Sequence, residues 1–289
     1  MSAEQVSVVI PARNATATIG LQLDALAHQS VPVDEVIVVD NASTDGLAEL
    51  VRAFAAERSG PTRFRVVYCA ERGVNHARNA GVRAALGSYI LLCDADDVVD
   101  PAWAAELVNG LRSHRLVGGA TVPFTTALSA NQIEVLLRSG RRILPQVDER
   151  LWNLQSAIGC NLGFRRSLWE ELGGFDVRID GSLDENEFVF RARLRGVELA
   201  LCPNAVVAYR RDSSRSKKLR RAYQEGRNRK MLQRLGVRAG LDTRPTLRRS
   251  GNRLPSSVNE LLGDVARFAG ALDATTEHWP LRRARRRPE

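Results

Sequence analysis

Four short, almost unbroken apolar runs separated by helix-periodic segments constrain this chain more than any other feature. Val6-Ser7-Val8-Val9-Ile10, Glu35-Val36-Ile37-Val38-Val39, Arg65-Val66-Val67-Tyr68 and Tyr89-Ile90-Leu91-Leu92-Cys93 have the length and residue types of strands. Between them, Thr16 to Gln29 repeats Ile19, Leu23 and Leu26, and Gly46 to Arg58 repeats Leu47, Leu50, Val51 and Phe54; a third helix is expected from Asn75 to Leu86. Strands that are apolar on both faces need a cover on both faces, and regular strand–helix alternation makes their neighbours parallel. The expected fold is therefore α/β, a Rossmann-like, mostly parallel sheet with helices on both faces. Ligands of such sheets bind beyond the carboxyl ends of the strands. That rule puts Pro11-Ala12-Arg13-Asn14, Asp40-Asn41, Glu71-Arg72-Gly73 and Asp94-Ala95-Asp96 on one rim.

The rim segment with the most chemistry is Asp94-Ala95-Asp96-Asp97, where the fourth strand ends. Three carboxylates leaving a buried strand repel one another and lose solvation, so a positive partner is expected. Hard oxygen donors suit Mg²⁺ or Mn²⁺, and a cation held by one or two carboxylates is commonly completed by phosphate oxygens. Helix capping is the competing explanation, and Asp100-Pro101 before Ala102-Trp103-Ala104 already supplies an N-cap followed by proline. Asp94 and Asp96 are left for a ligand. At the second strand end, Asp40 is placed to accept hydrogen bonds from a base or a ribose, while Asp45 is expected to cap the next helix. Arg72 to Gly81 forms a glycine loop entering a helix with Arg78 nearby, a weak anion-site signal because Arg78 equally suits a salt bridge to a rim carboxylate.

Beyond Leu116 the rhythm loosens. Strands are expected at Val117 to Phe124, Ile158 to Arg165 and Val197 to Cys202, short helices at Trp169 to Gly174 and Glu185 to Arg195, and an irregular polar segment over 130–155. Charge divides the chain unevenly. Residues 1–209 carry 20 Lys+Arg against 25 Asp+Glu, whereas residues 210–289 carry 22 against 8. A mildly acidic body thus precedes a strongly basic, helix-rich end that suits an anionic lipid surface, a phosphorylated substrate or simple solvation. The four cysteines are widely spaced without a C-x-x-C pair, which fits a reducing cytoplasm better than a disulfide or zinc framework. No apolar stretch approaches 18 residues, and the N-terminus lacks the pattern of a signal peptide.

Taken in order, Val6 to Asn14, Val39 to Asp45, Gly73 to Asn79 and Leu92 to Asp97 resemble the motifs of family 2 glycosyltransferases, inverting enzymes of the GT-A fold. The resemblance covers roughly residues 5–210. It implies that Pro11, Arg13 and Asp40 line a nucleoside pocket with Arg78 near it. Asp94 would face the ribose and Asp96 the metal, Mn²⁺ or Mg²⁺, with both forming the D-x-D pair. Cys160 to Arg166, Gly173 to Asp176 and Asp184 to Glu187 look like the family's acceptor-side segments. Members commonly carry Glu-Asp ahead of the last helix, with the Asp as base. Here the order is Asp184-Glu185: position selects Glu185, while the chemistry accepts either, and Asp184 also suits a helix cap. Where many relatives have a metal-binding histidine, this chain has Tyr209, and Arg210 or Arg211 is a candidate for the diphosphate.

The organisation implied is a nucleotide-sugar-binding half over 1–110, an acceptor-binding and base-carrying half of the same domain over 111–211, and a basic helical extension over 212–289. The partners implied are a nucleotide-diphosphate sugar and an unidentified acceptor, with peripheral membrane contact through the basic end and no nucleic acid. Metal-dependent nucleotidyl transfer on a doubly wound fold is a rival, weakened by the absence of glycine from Pro11-Ala12-Arg13-Asn14-Ala15. A non-catalytic nucleic-acid- or membrane-binding protein acting through the basic end is another.

Overall fold

The computed structural model describes residues 4–148, 151–179, 181–211 and 214–241, with 267 and 269. In chain order the elements are β1 (Val6–Ala12), α1 (Ile19–Ala27), β2 (Glu35–Asp40), α2 (Leu47–Ala56), β3 (Arg63–Tyr68), α3 (Val74–Ala84) and β4 (Tyr89–Leu92). There follow β5 (Val98–Val99), α4 (Trp103–Ser113), β6 (Leu116–Phe124), α5 (Ala130–Ser139), β7 (Val147–Asp148), β8 (Leu154–Gln155) and β9 (Leu162–Arg165). The last are α6 (Arg166–Leu172), α7 (Asp184–Arg193), β10 (Ala200–Arg210) and α8 (Arg215–Arg238). The chain divides into two units, Met1–Ser213 and Ser214–Glu289.

The first unit is built on an eight-stranded sheet in the order β3-β2-β1-β4-β9-β6-β10-β5. Parallel pairing joins β3, β2, β1 and β4, and also β6 and β10; β9 and β5 run against their neighbours. The chain steps outward from β1 to β3, then returns to the other side of β1 as β4. This reversal, between β1 and β4, is the topological switch point, the place at which open α/β sheets generally bind ligands.

Both faces of the sheet are covered. Val8, Ile10, Val36, Val38 and Leu91 join the core with Ile19 and Leu23 of α1, Leu47 of α2 and Trp103 and Leu107 of α4. On the opposite face α3 packs so closely that a β-carbon on Gly81 would collide with Val9 and lie 2.9 Å from Val39 Cγ2. At the far end of the strands the buried Glu35 carboxylate is fully answered. Ser7 Oγ donates to it at 2.7 Å, Arg65 Nε at 2.9 Å and the Leu86 amide at 2.6 Å. One carboxylate thus ties β1, β2, β3 and the turn into β4, as buried charges require.

Three expectations change. The segment 130–155 contains a regular helix, α5, opened by a capping box in which Ser129 and Gln132 bond reciprocally. The strand expected at Val197 to Cys202 continues to Arg210 as β10, with an irregularity between Cys202 and Val206 where Pro203 falls. Asp100 does not sit directly at the N-cap of α4: it accepts from the Ala102 amide at 2.9 Å in the turn just before that helix.

Candidate active site

The rim expected at the carboxyl ends of the strands exists, and its loops are interlocked. Past β1, Asn14 adopts a left-handed backbone at φ 51°, which an Asn tolerates better than most residues. Its amide donates to Ser43 Oγ at 3.0 Å, and its Oδ1 accepts from the Thr44 amide at 2.9 Å. Asp45 accepts from the Thr16 amide at 2.9 Å and its hydroxyl at 2.8 Å, bonds that hold the Asp45 carboxyl below the usual carboxylate range. Asp40 ends β2 as a buried residue, with Oδ1 accepting from the Ser43 amide at 2.9 Å. Pro11, opposite Val39 in the β1–β2 register, is half-buried, and Arg13 is exposed.

Asn41, quoted in the motif without a role, organises the third loop. Its Nδ2 donates to the Cys69 carbonyl at 3.1 Å and the Glu71 carbonyl at 2.6 Å, while its Oδ1 accepts from the Gly73 amide at 2.9 Å. Gly73 lies at φ 134°, where an L-residue is strained. Asn75, Arg78 and Asn79 form a polar stripe on α3 at three- and four-residue spacing. Asn75 Nδ2 holds the Asp176 carbonyl at 3.0 Å and the Ile179 carbonyl at 3.2 Å. Asn79 exchanges two 2.8 Å bonds with the Phe175 backbone and accepts from Trp169 Nε1 at 3.1 Å. Trp169 is therefore a packing residue, and Trp152 stacks on Phe190 with ring centroids 5.7 Å apart.

The acidic turn presents its carboxylates at three depths: Asp96 exposed, Asp94 half-buried and Asp97 1% exposed. Asp97 Oδ1 accepts from the Arg210 amide at 2.7 Å, whereas its buried Oδ2 has no hydrogen-bond partner. Burial, reinforced by Asp94 and Asp96, pushes the Asp97 carboxyl well up. Ligand atoms of Asp94, Asp97 and Cys160 lie within 4.8 Å of one another. Burial and the nearby carboxylates push the Cys160 thiol well up, and the two carboxylates are the hard donors of the group. An orphaned carboxylate oxygen among like charges fits a hard divalent cation such as Mg²⁺ or Mn²⁺. That grouping joins Asp94 to Asp97 and Cys160, while Asp96 stands exposed outside it.

Arg78 lies away from the exposed part of the rim, 3% exposed and paired through Nη1 with Asp184 and, at 3.1 Å, with Asn75 Oδ1. Burial works against its charge, but Asp184, Glu185 and Asp94 outweigh that and raise its pKa. The expectation that Asp184 caps the helix is corrected. Asp184 is the first residue of α7, and Leu183, at φ 63° and without a side-chain bond, occupies the cap. Glu185 is half-buried, with Oε1 accepting from Asn186 Nδ2 at 3.2 Å. Burial raises the Glu185 carboxyl well above its ordinary value; Asp184 adds to the rise and Arg78 opposes it. The site is thus an exposed loop rim, an acidic turn at the switch point and a half-buried Glu185, with Arg78 between the two carboxylate groups. Asn41, Asn79 and Cys160 lie beside it although no individual role was expected of them, and Asp97, counted among the three carboxylates of the acidic turn, is held by the Arg210 amide.

This arrangement on a mostly parallel sheet is that of a GT-A glycosyltransferase. The profile of "Glycosyl transferase family 2" matches residues 7–173, and the chain belongs to that family. Among curated relatives, it is 28% identical over 211 residues to the probable glycosyltransferase YdaM of Bacillus subtilis, covering 70% of this chain and 50% of that protein. It is 32% identical over 111 residues to the uncharacterized glycosyltransferase EpsJ of the same species, covering 38% and 31%. The chain spans half or less of these relatives. Its fold is similar to that of the mannosyltransferase PcManGT from Pyrobaculum calidifontis in complex with GDP-Man and Mn²⁺, with a TM-score of 0.62, 25% identity, and 96% and 76% of the two chains covered. It also resembles S. aureus TarS 1-349 in complex with UDP-GlcNAc, with a TM-score of 0.57, 18% identity, and 81% and 66% covered.

Proposed function

We propose that this protein is an inverting glycosyltransferase that moves a sugar from a nucleotide-diphosphate sugar to an acceptor hydroxyl with divalent-metal assistance. The observation that carries the reading is the pairing of an acidic turn at the switch point with a half-buried glutamate at the start of α7. Membership of family 2 and likeness to structures holding GDP-Man and UDP-GlcNAc support it.

In this reading Pro11, Arg13 and Asp40 bind the nucleoside and Asp94 takes the ribose. Asp96 and Asp94 hold the cation, which when bound neutralises charge gathering on the departing diphosphate. Glu185 accepts the acceptor proton as the hydroxyl attacks the anomeric carbon opposite the leaving group, so the configuration inverts. Asp184 is the weaker candidate because its carboxylate is buried against Arg78, whereas a base must reach the acceptor. Specificity for the acceptor would come from the segment around α5 and the β7–β8 hairpin.

No helix among the described residues is long and apolar enough to cross a membrane. The first two turns of α8 expose Arg215, Lys217, Lys218, Arg220 and Arg221, which supports peripheral contact with an anionic membrane face, there to meet the acceptor. Incubation with a panel of nucleotide-diphosphate sugars and Mn²⁺, followed by release of nucleoside diphosphate, tests the reading. Release from a particular donor, lost in Glu185→Gln, is expected; no release from any donor would count against it.

A further inference from the structure

The site holds one buried cation that the proposed reaction does not use directly. Arg78 projects from α3 into the space between the acidic turn and the start of α7. Its Nη1 is committed to Asp184 and Asn75 Oδ1, and its buried Nε has no hydrogen-bond partner. Its Nη2 lies against Gly159, on the loop that leads into β9, so closely that a β-carbon there would collide with it. The same β-carbon would stand 3.4 Å from Glu185 Oε2, so Nη2 and the Glu185 carboxylate share one small volume, roofed by Gly159. Asn186 fixes the other Glu185 oxygen at 3.2 Å and is itself held by the Ala157 amide at 2.7 Å.

We infer that Arg78 and Asp184 form a positioning pair for Glu185, in which Asp184 anchors the guanidinium and the guanidinium governs how readily Glu185 gives up its proton. This rests on Glu185 being the base. Among the described residues the charges that act most strongly on Glu185 are Asp184 on its own helix and Arg78 from α3, and Asp94 of the acidic turn acts in turn on Arg78. The two partners pull in opposite directions. The Asp184 charge makes ionising Glu185 harder, and the Arg78 charge makes it easier. A third role follows for Gly159: any larger residue displaces Nη2 and breaks the arrangement without altering a charge.

Opposed effects give a test that a packing role cannot imitate. The pH dependence of kcat/KM is measured for the wild type, Arg78→Gln, Asp184→Asn and the double variant Arg78→Gln/Asp184→Asn, with folding checked by circular dichroism. The ascending limb moves to higher pH in Arg78→Gln and to lower pH in Asp184→Asn, and returns towards the wild-type position in the double variant. Direct ¹³C-carboxyl NMR titration of Glu185 in the donor-free protein shows the same displacements whether or not Glu185 is the base. If a single variant fails to fold, Gly159→Ala, which displaces Nη2 without altering a charge, is titrated by NMR in its place, with a displacement of Glu185 to higher pH expected and none overturning the inference. Displacements of the same sign, or none, overturn the inference. If the NMR displacements appear while Glu185→Gln keeps full turnover, the pair stands as an electrostatic unit but the base reading fails.

Discussion

The Arg210 amide donates to Asp97 Oδ1 at 2.7 Å, joining residues 113 positions apart and fastening the end of β10 to the acidic turn. The Arg210 side chain completes the clasp: its Nε donates to the Asp96 carbonyl at 3.1 Å, and its guanidinium stacks on Phe124 at 5.0 Å. Asp97 is thus a structural support for the acidic turn, whose outer carboxylates are the proposed ligand contacts. Asp97→Ala removes the acceptor and should cost ~1–3 kcal/mol by urea unfolding, since a buried amide is left unanswered. Asp97→Asn keeps an acceptor and relieves like-charge repulsion, so its loss should be smaller. Equal losses would show that the amide bond is not what Asp97 contributes.

Glu185→Gln keeps the shape of the side chain but cannot take a proton. Transfer should fall ~10²–10⁴-fold, the usual cost of losing a general base. Affinity for the nucleotide-diphosphate sugar, measured by calorimetry, should stay within about twofold. Loss of donor affinity in step with turnover would move Glu185 from base to binding residue.

The raised pKa of Glu185 fixes the sign of the pH dependence. A base works ionised, so kcat/KM should climb with pH through an ionisation well above the ordinary carboxylate range, and Glu185→Gln should lose that limb. Stability runs the other way. A carboxyl whose pKa is raised on folding binds its proton more tightly in the native state, so its contribution is present below the unfolded pKa near 4.5 and is lost as pH rises through the higher native value. Comparing wild type with Glu185→Gln by thermal unfolding across that window checks the sign. A variant no more stable than wild type above the window would contradict it.

Asn161 is fully buried and serves three elements. Its Nδ2 donates to the Ala120 and Ala205 carbonyls, both at 2.8 Å, and its Oδ1 accepts from Trp103 Nε1 at 2.9 Å. Asn161→Ala strands three buried groups, and at ~1–3 kcal/mol for each the loss should be on the order of 3 kcal/mol or more. Denaturant unfolding measures it directly, and a loss under about 1 kcal/mol would mean that the three groups find other partners.

The strands from β1 to β4 were readable because each is an apolar run ended by a polar residue, and the rim followed from the general placement of ligands in such sheets. What escaped was mostly non-local. The helix α5 was hidden by its thin apolar face, with Ile133 and Leu137 its only buried residues, although the Ser129–Gln132 capping box was a readable signal. Pro203-Asn204 hid the second part of β10, of which only the strand at Val197 to Cys202 was expected. Within the site, Asp40, Asp94 and Asp96 could be picked out from their position at strand ends. The Arg78–Asp184 pair spans 106 positions, and no local pattern announces which of several rim carboxylates a buried arginine will choose. The same holds for Cys160, which reaches the acidic turn only because β9 pairs with β4. Asp184 read as a cap because Asp is a good one, but its side chain serves the ion pair instead.

Metal-coupled nucleotide binding at the acidic turn is the centre of the account, and the thermal shift of the protein with UDP and with GDP, each with and without Mn²⁺, tests it most directly. At least one of these should raise Tm only when Mn²⁺ is present, and Asp96→Asn should abolish the increment. A nucleotide shift that is the same without metal, or that survives unchanged in Asp96→Asn, would contradict it.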